Sequence, residues 1–240
     1  MRGTLVERHP DSLASISDTA ALLLAQGKND DAAPLCMEAL ECCRATLGDR
    51  HPLTVTAMNN MAGLLQAQGK LDDAAALCWA ALEASREALG DLHPSTLATM
   101  SNMAGLLQSQ GKLTGAAELY RDVLQGRRTT LGDRHPDTLA SMSNMAYLLL
   151  AQGKVDEAMQ LWGEALEGSR LVHGDCHPDT LALISKVGVL LHKQGKLQQA
   201  RALVDERVLA AAREVLGAKV DITLMLEAIE ARLRVAEGGR

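Results

Sequence analysis

The side chains best equipped for chemistry in this chain are imidazoles and thiols, and their spacing decides what they can do. Five histidines each precede a proline at intervals of 42 residues: His9, His51, His93, His135 and His177. Residues recurring once per packed unit lie on the order of 10 Å apart, the packing distance of helices. Rings so separated cannot share a zinc ion, whose nitrogen ligands lie about 2 Å away. The column therefore reads as a structural device at a helix entry. His173, Cys176 and His177 are nearer in sequence, but they straddle a loop and lack a fourth ligand at a diagnostic spacing. No metal site is expected from either set. The cysteines, Cys36, Cys42, Cys43, Cys78 and Cys176, are odd in number and include no Cys-x-x-Cys pair, which reads as free thiols in a reducing compartment. Cys42 and Cys43 are adjacent and cannot easily bridge. With no phosphate loop, nucleophile elbow or carboxylate pair outside the repeating polar positions, neither catalysis nor a cofactor is expected.

A repeat positions the histidines. Each His-Pro is followed by a Gln-Gly-Lys string, at Gln26-Gly27-Lys28, Gln68-Gly69-Lys70, Gln110-Gly111-Lys112, Gln152-Gly153-Lys154 and Gln194-Gly195-Lys196. Self-similarity at this period predicts one elongated domain over 1–240, with repeats 9–50, 51–92, 93–134, 135–176 and 177–218. In the fourth unit Pro136 suits a first helical turn, having no N–H to leave unpaired, and Asp137 complements the helix dipole there. Leu139, Met142, Met145, Ala146 and Leu149 then recur every three or four residues, and Gly153 stops the helix. A second stripe, Val155, Ala158, Trp162, Ala165 and Leu166, predicts a return helix. Leu47-Gly48, Leu89-Gly90 and Leu131-Gly132 close the equivalent helices upstream. The expected fold is all-α: a right-handed α-solenoid of five helix hairpins. After Gly217 the pattern decays and becomes more polar, at Glu227, Glu230, Arg232 and Arg234, so 219–240 reads as a capping helix and tail.

Composition agrees and excludes several partners. Hydrophobic residues make up 47% of the chain but aromatic residues only 2%, with no Phe, so the core must be built from Leu, Ala, Met and Val, which favours helices. The formal charge of -6 and the absence of a Lys/Arg block give no footprint for nucleic acid or an anionic membrane. The first ten residues lack a signal-type apolar region and no apolar run approaches the ~20 residues of a membrane span, so a cytoplasmic protein is expected.

Small residues recur where helices must approach: Ala20, Ala62, Ala104, Ala146 and Gly188 on first helices, and Ala32, Ala74, Ala116, Ala158 and Ala200 on second helices. Ala104 and Ala116 are expected to face each other inside the third hairpin. With Ala39, Ala81 and Ala165 as a third column, the pattern resembles the tetratricopeptide repeat. HEAT and armadillo repeats have a similar length, but nothing here requires a third helix or a proline kink in the first. The string Leu131-Gly132-Asp133-Arg134-His135-Pro136, Thr138-Leu139, Asn144-Met145-Ala146-Tyr147-Leu148-Leu149, Gln152-Gly153-Lys154 closely resembles the long repeats of the kinesin light chain family. The resemblance covers about residues 9 to 218. It implies a non-catalytic module that binds an extended peptide of a partner protein, as an adaptor or scaffold. It would also imply kinesin heavy chain as a partner. The heptad segment that pairs with the heavy chain is not seen ahead of the first repeat, so motor attachment is not expected.

In that family the first helices line a concave groove, and an Asn at the sixth position bonds to the main chain of the bound peptide. The resemblance places Asn60, Asn102 and Asn144 in that role, with Asp18 and Lys186 in the same column. A carboxamide both donates and accepts, so such a ladder can pair with a backbone without reading side chains. The alternative is that these amides bond to neighbouring repeats or water. On the same face lie Asn59, Gly63, Ser101, Gly105, Ser143 and Tyr147, the glycines allowing close backbone approach and Tyr147 offering a stacking surface. Basic character is confined to Lys186, His192 and Lys193, so an acidic end of the ligand is expected toward the fifth repeat. Two other readings stay open: a structural scaffold assembling through repeat ends or outer faces, and a regulatory or sensor part of a larger protein.

Overall fold

The computed structural model describes residues 9–217 together with 224, 226–229 and 231. Every secondary-structure element among them is a helix: α1 (Pro10–Ala25), α2 (Asn29–Leu47), α3 (Pro52–Ala67), α4 (Leu71–Leu89), α5 (Pro94–Ser109), α6 (Leu113–Leu131), α7 (Pro136–Ala151), α8 (Val155–His173), α9 (Pro178–Lys193), α10 (Leu197–Leu203) and α11 (Glu206–Val215). The chain divides into two compact units, one ending at Thr130 and the other beginning at Leu131, close to the join of the third and fourth repeats.

The His-Pro column is the helix-entry device that its spacing suggests. Each histidine is an N-cap in extended conformation with proline behind it, and its Nδ1 accepts the N–H two residues on, at 3.3 Å for His9 and 3.2 Å for His51, His93, His135 and His177. One orphan donor of each first helix is thereby satisfied. His93→Asn keeps an acceptor and should leave stability nearly unchanged, whereas His93→Ala should cost about 1 kcal/mol in denaturant melts. A threonine column adds a second tie. Thr54 and Thr138 donate to the carbonyls of Gly48 and Gly132 at 2.7 and 2.8 Å, and Thr96 and Thr180 share hydrogen bonds with Ser85 and Ser169 at 2.8 Å. All four threonines are buried; Thr54, Thr96 and Thr180 each fix the start of a first helix to the end of the preceding second helix, and Thr138 ties the start of α7 to the loop before it.

Packing inside the hairpins follows complementary volumes. A Cβ on Gly126 would lie 2.8 Å from Leu97 Cδ2, and one on Gly168 would lie 2.7 Å from Leu139 Cδ2. The second repeat, where the smaller Val55 stands in the leucine position, carries Ala84 in the glycine position, and both belong to one core cluster. Gly168→Ala should therefore couple to Leu139→Val by about 1 kcal/mol in a double-mutant cycle, the valine relieving the clash. Additive effects would show that the two positions do not share this space. The small columns behave alike: Ala20, Ala32, Ala104, Ala116, Ala146 and Ala158 are each 0% exposed. Cys36, Cys43 and Cys78 are buried core fillers; burial raises all three thiols, Cys78 to about 11.

The fifth hairpin departs from the expected form. Its second helix is broken into α10 and α11, because Asp205 takes an extended conformation and its carboxylate accepts the Val208 N–H at 2.9 Å. Earlier repeats carry Met37, Trp79, Arg121 and Gly163 at that position, inside unbroken second helices, and none of these side chains is a strong N-cap. Gly188 accommodates what results, since a Cβ there would meet Val204 at 3.1 Å and Ile229 at 3.3 Å. The capping helix expected over 219–240 lies largely outside the described residues, of which Leu226 and Ile229 are buried.

Candidate functional site

In the first unit the first helices are stitched together. α1 packs on α3 and α3 on α5, which gathers the first helices on one face. Asn60 Nδ2 donates to the Ser17 carbonyl at 2.8 Å, Asn59 Nδ2 to Thr99 Oγ1 at 2.8 Å, and Gln66 Nε2 to Ser109 Oγ at 2.9 Å. Three carboxamides thus bridge consecutive repeats, each through its amide nitrogen. Asn102 is exposed, Ser101 half-buried and Gly63 exposed on the same face. Gly105 makes room for Tyr120, whose hydroxyl would be 3.3 Å from an added Cβ.

The second unit is built differently at the same positions. α8 packs against both α7 and α9, and a cleft of about 400 Å³ lies between α7 and α9. Ser143, Asn144 and Tyr147 from α7 and Lys186 from α9 line it, with Asp137, Asp179 and, at one end, Ser169 and His173 of α8. Two of the lining residues depart from the repeat pattern. Tyr147 stands where the first unit has Gly63 and Gly105, and Lys186 stands in the Asn column. The Tyr147 ring meets buried Trp162 edge-on, with centroids 4.9 Å apart and planes at 85°, so the core fixes its orientation. Lys186 Nζ lies 5.0 Å from the Tyr147 ring centroid. Desolvation lowers the Lys186 pKa, and the nearby Asp179 carboxylate acts against that shift. Burial raises the Tyr147 phenol.

The remaining candidates fall as follows. Lys193 is exposed and is not among the residues lining the cleft. His173 and His177 stack with centroids 4.3 Å apart, and among the described residues no group of three His, Cys, Asp or Glu side chains could hold a metal ion. In the sequence Asp137 and Asp179 mark only helix starts; their place in the cleft comes from packing. The visible signal was the paired departure of Tyr147 and Lys186 from the columns of the earlier repeats. An amphipathic ring on rigid support, an engaged cation, two carboxylates and an amide can hold a short peptide by its backbone and one side chain.

Stacked helix hairpins presenting such a face define a protein-interaction scaffold. The Tetratricopeptide repeat family model matches residues 12–78, 54–129, 97–169 and 137–214, and the chain belongs to that family. Among solved structures it is similar to the nearly identical tetratricopeptide-like repeats of a Podosopora anserina protein described as a kinesin light chain, at 27% identity and a TM-score of 0.68, covering 86% of this chain and 97% of that one. A point variant of that protein matches at 26% identity and a TM-score of 0.69, over 87% and 98% of the two chains. BtubC (BKLC) from P. vanneervenii shares the fold at a TM-score of 0.71 and 23% identity, over 88% of this chain and 84% of that one. No curated protein is matched by the sequence. No helix among the described residues is long and apolar enough to cross a membrane.

Proposed function

We propose that this chain is an adaptor that receives a short extended segment of a partner protein in the cleft between α7 and α9. The observation that carries the reading is the cleft of about 400 Å³ lined by Tyr147 and Lys186, which stand where earlier repeats carry Gly and Asn. Tyr147 is 45% exposed although its ring is braced from below by Trp162, the arrangement of an aromatic anchor. The test is a pull-down comparing the wild-type chain with Tyr147→Ala and with Ala182→Trp, which fills the cleft. Partners captured by wild type and lost from both variants support the adaptor reading.

A second reading, assembly through a repeat end, is favoured by Leu22. It is 60% exposed, whereas its counterparts Leu64, Leu106, Leu148 and Leu190 are 2%, 1%, 0% and 6% exposed. Under that reading Leu22→Glu changes the sedimenting species and the cleft variants do not.

A further inference from the structure

A second cleft, of about 440 Å³, lies in the first unit between the end of α4, the loop into α5, and α6. It is lined by Arg86, Asp91, Leu92, Leu97, Met100 and Asp122. The repeats serve as internal controls for what is unusual here. Position 92 is Arg50, Arg134 and Cys176 in the other loops, but here it is a leucine 54% exposed to solvent. One repeat position on α4 likewise carries Trp79, 48% exposed, where α6 and α8 have Arg121 and Gly163 and α2 has the exposed but non-aromatic Met37. Neither side chain is required by the core that the other repeats build without it. Leu97 fills the space beside Gly126, and Leu92 packs at its edge, its Cδ2 3.4 Å from where a Cβ on that glycine would lie.

The charges around this apolar floor indicate the occupant. Arg86 and Asp91 neutralise each other at 2.8 Å, which leaves Asp122 as the carboxylate of the lining without an ion-pair partner among the described residues. Glu83 stands one turn from Trp79 on α4, and Glu118 one turn from Asp122 on α6; both are exposed and have no ion-pair partner among the described residues. Arg121 is the exposed cation beside them. Trp79, Glu83 and Arg86 follow i, i+4, i+7 spacing on one helix face, so the indole lies about 10 Å along the axis from the cleft. That distance is roughly three residues of extended chain.

We propose that this surface docks an extended basic segment of a partner protein, with two Arg or Lys residues three positions apart. One cation reaches Asp122 while its aliphatic stem covers Leu92, the exposed apolar side chain of the cleft, and the other lies over the Trp79 indole beside Glu83. The site is separate from the α7/α9 cleft and does not depend on it.

The test uses the full chain and an acetylated, amidated peptide, Gly-Arg-Ala-Ala-Arg-Gly, with its Glu-for-Arg counterpart as control. Binding is measured by calorimetry and by tryptophan emission, which reports Trp79 because Trp162 is only 2% exposed. The Arg peptide should bind and alter the emission, and the Glu peptide should not. Trp79→Ala and Asp122→Asn should each weaken binding about two- to fivefold, and together about tenfold. Tyr147→Ala should leave it unchanged, so that failure of the adaptor cleft and failure of this site are read separately. No binding of the Arg peptide, equal binding of the Glu peptide, or affinity indifferent to both substitutions overturns the proposal; the last result would mean general attraction to a chain of net charge -6.

Discussion

Ala116→Leu is expected to destabilise the chain by about 1–3 kcal/mol, and Ala104→Leu by a similar amount, because each forces a branched side chain into a fully packed hairpin. Both alanines are 0% exposed, one on each helix of the third hairpin. The neighbouring space is already filled: Tyr120 reaches over from α6 until its hydroxyl lies 3.3 Å from the Cβ position of Gly105. In a chain of this size each kcal/mol lowers the melting temperature by about 2–4 °C. The loss should also be local, since stacked repeats contact chiefly their neighbours. Hydrogen exchange should therefore accelerate in α5 and α6 before it does in α1. Ala80→Leu, on the exposed side of α4, is the matched control and should stay within about 0.5 kcal/mol of wild type. If Ala116→Leu melts with the control, the small columns do not mark the hairpin contact.

The small columns were legible in the sequence because a 42-residue period gives several independent readings of each position. Helix starts at His-Pro, helix stops at Gly, and the buried faces all follow from local rules applied repeatedly. Asp205 shows where such reading fails: a single strong N-cap interrupts a helix that four other copies predict to be continuous. The site was less legible for a related reason. The Asn60 and Lys186 positions are equivalent in the repeat, but one carries an amide bonded to the preceding first helix and the other an ammonium group set against an aromatic ring. Asn60 lies against a close neighbour and bonds to Ser17. Asn144 is among the residues lining the cleft between α7 and α9, where Lys186 lies over the Tyr147 ring. The basic character expected at Lys186 is changed in the same way, since its ammonium group rests on an aromatic ring and close to Asp179.

Tyr147→Ala should weaken partner binding about tenfold or more while leaving the helical signal intact, whereas Asn60→Ala should do the reverse. The phenol presents a rigid, half-exposed surface, and truncation of such anchors commonly costs ~2 kcal/mol or more. Asn60 instead joins two first helices through one hydrogen bond, so its loss should lower stability by about 1 kcal/mol and leave affinity nearly unchanged. Salt provides an independent check. Lys186 lies among Tyr147, Asp137 and Asp179, so its ammonium group is already set against carboxylates before any ligand arrives. Affinity for the captured partner should then vary only weakly with ionic strength. If Asn60→Ala removed binding as completely as Tyr147→Ala, or if affinity fell steeply with salt, recognition would have to run through the first unit or through charge. The α7/α9 cleft would then not be the receptor.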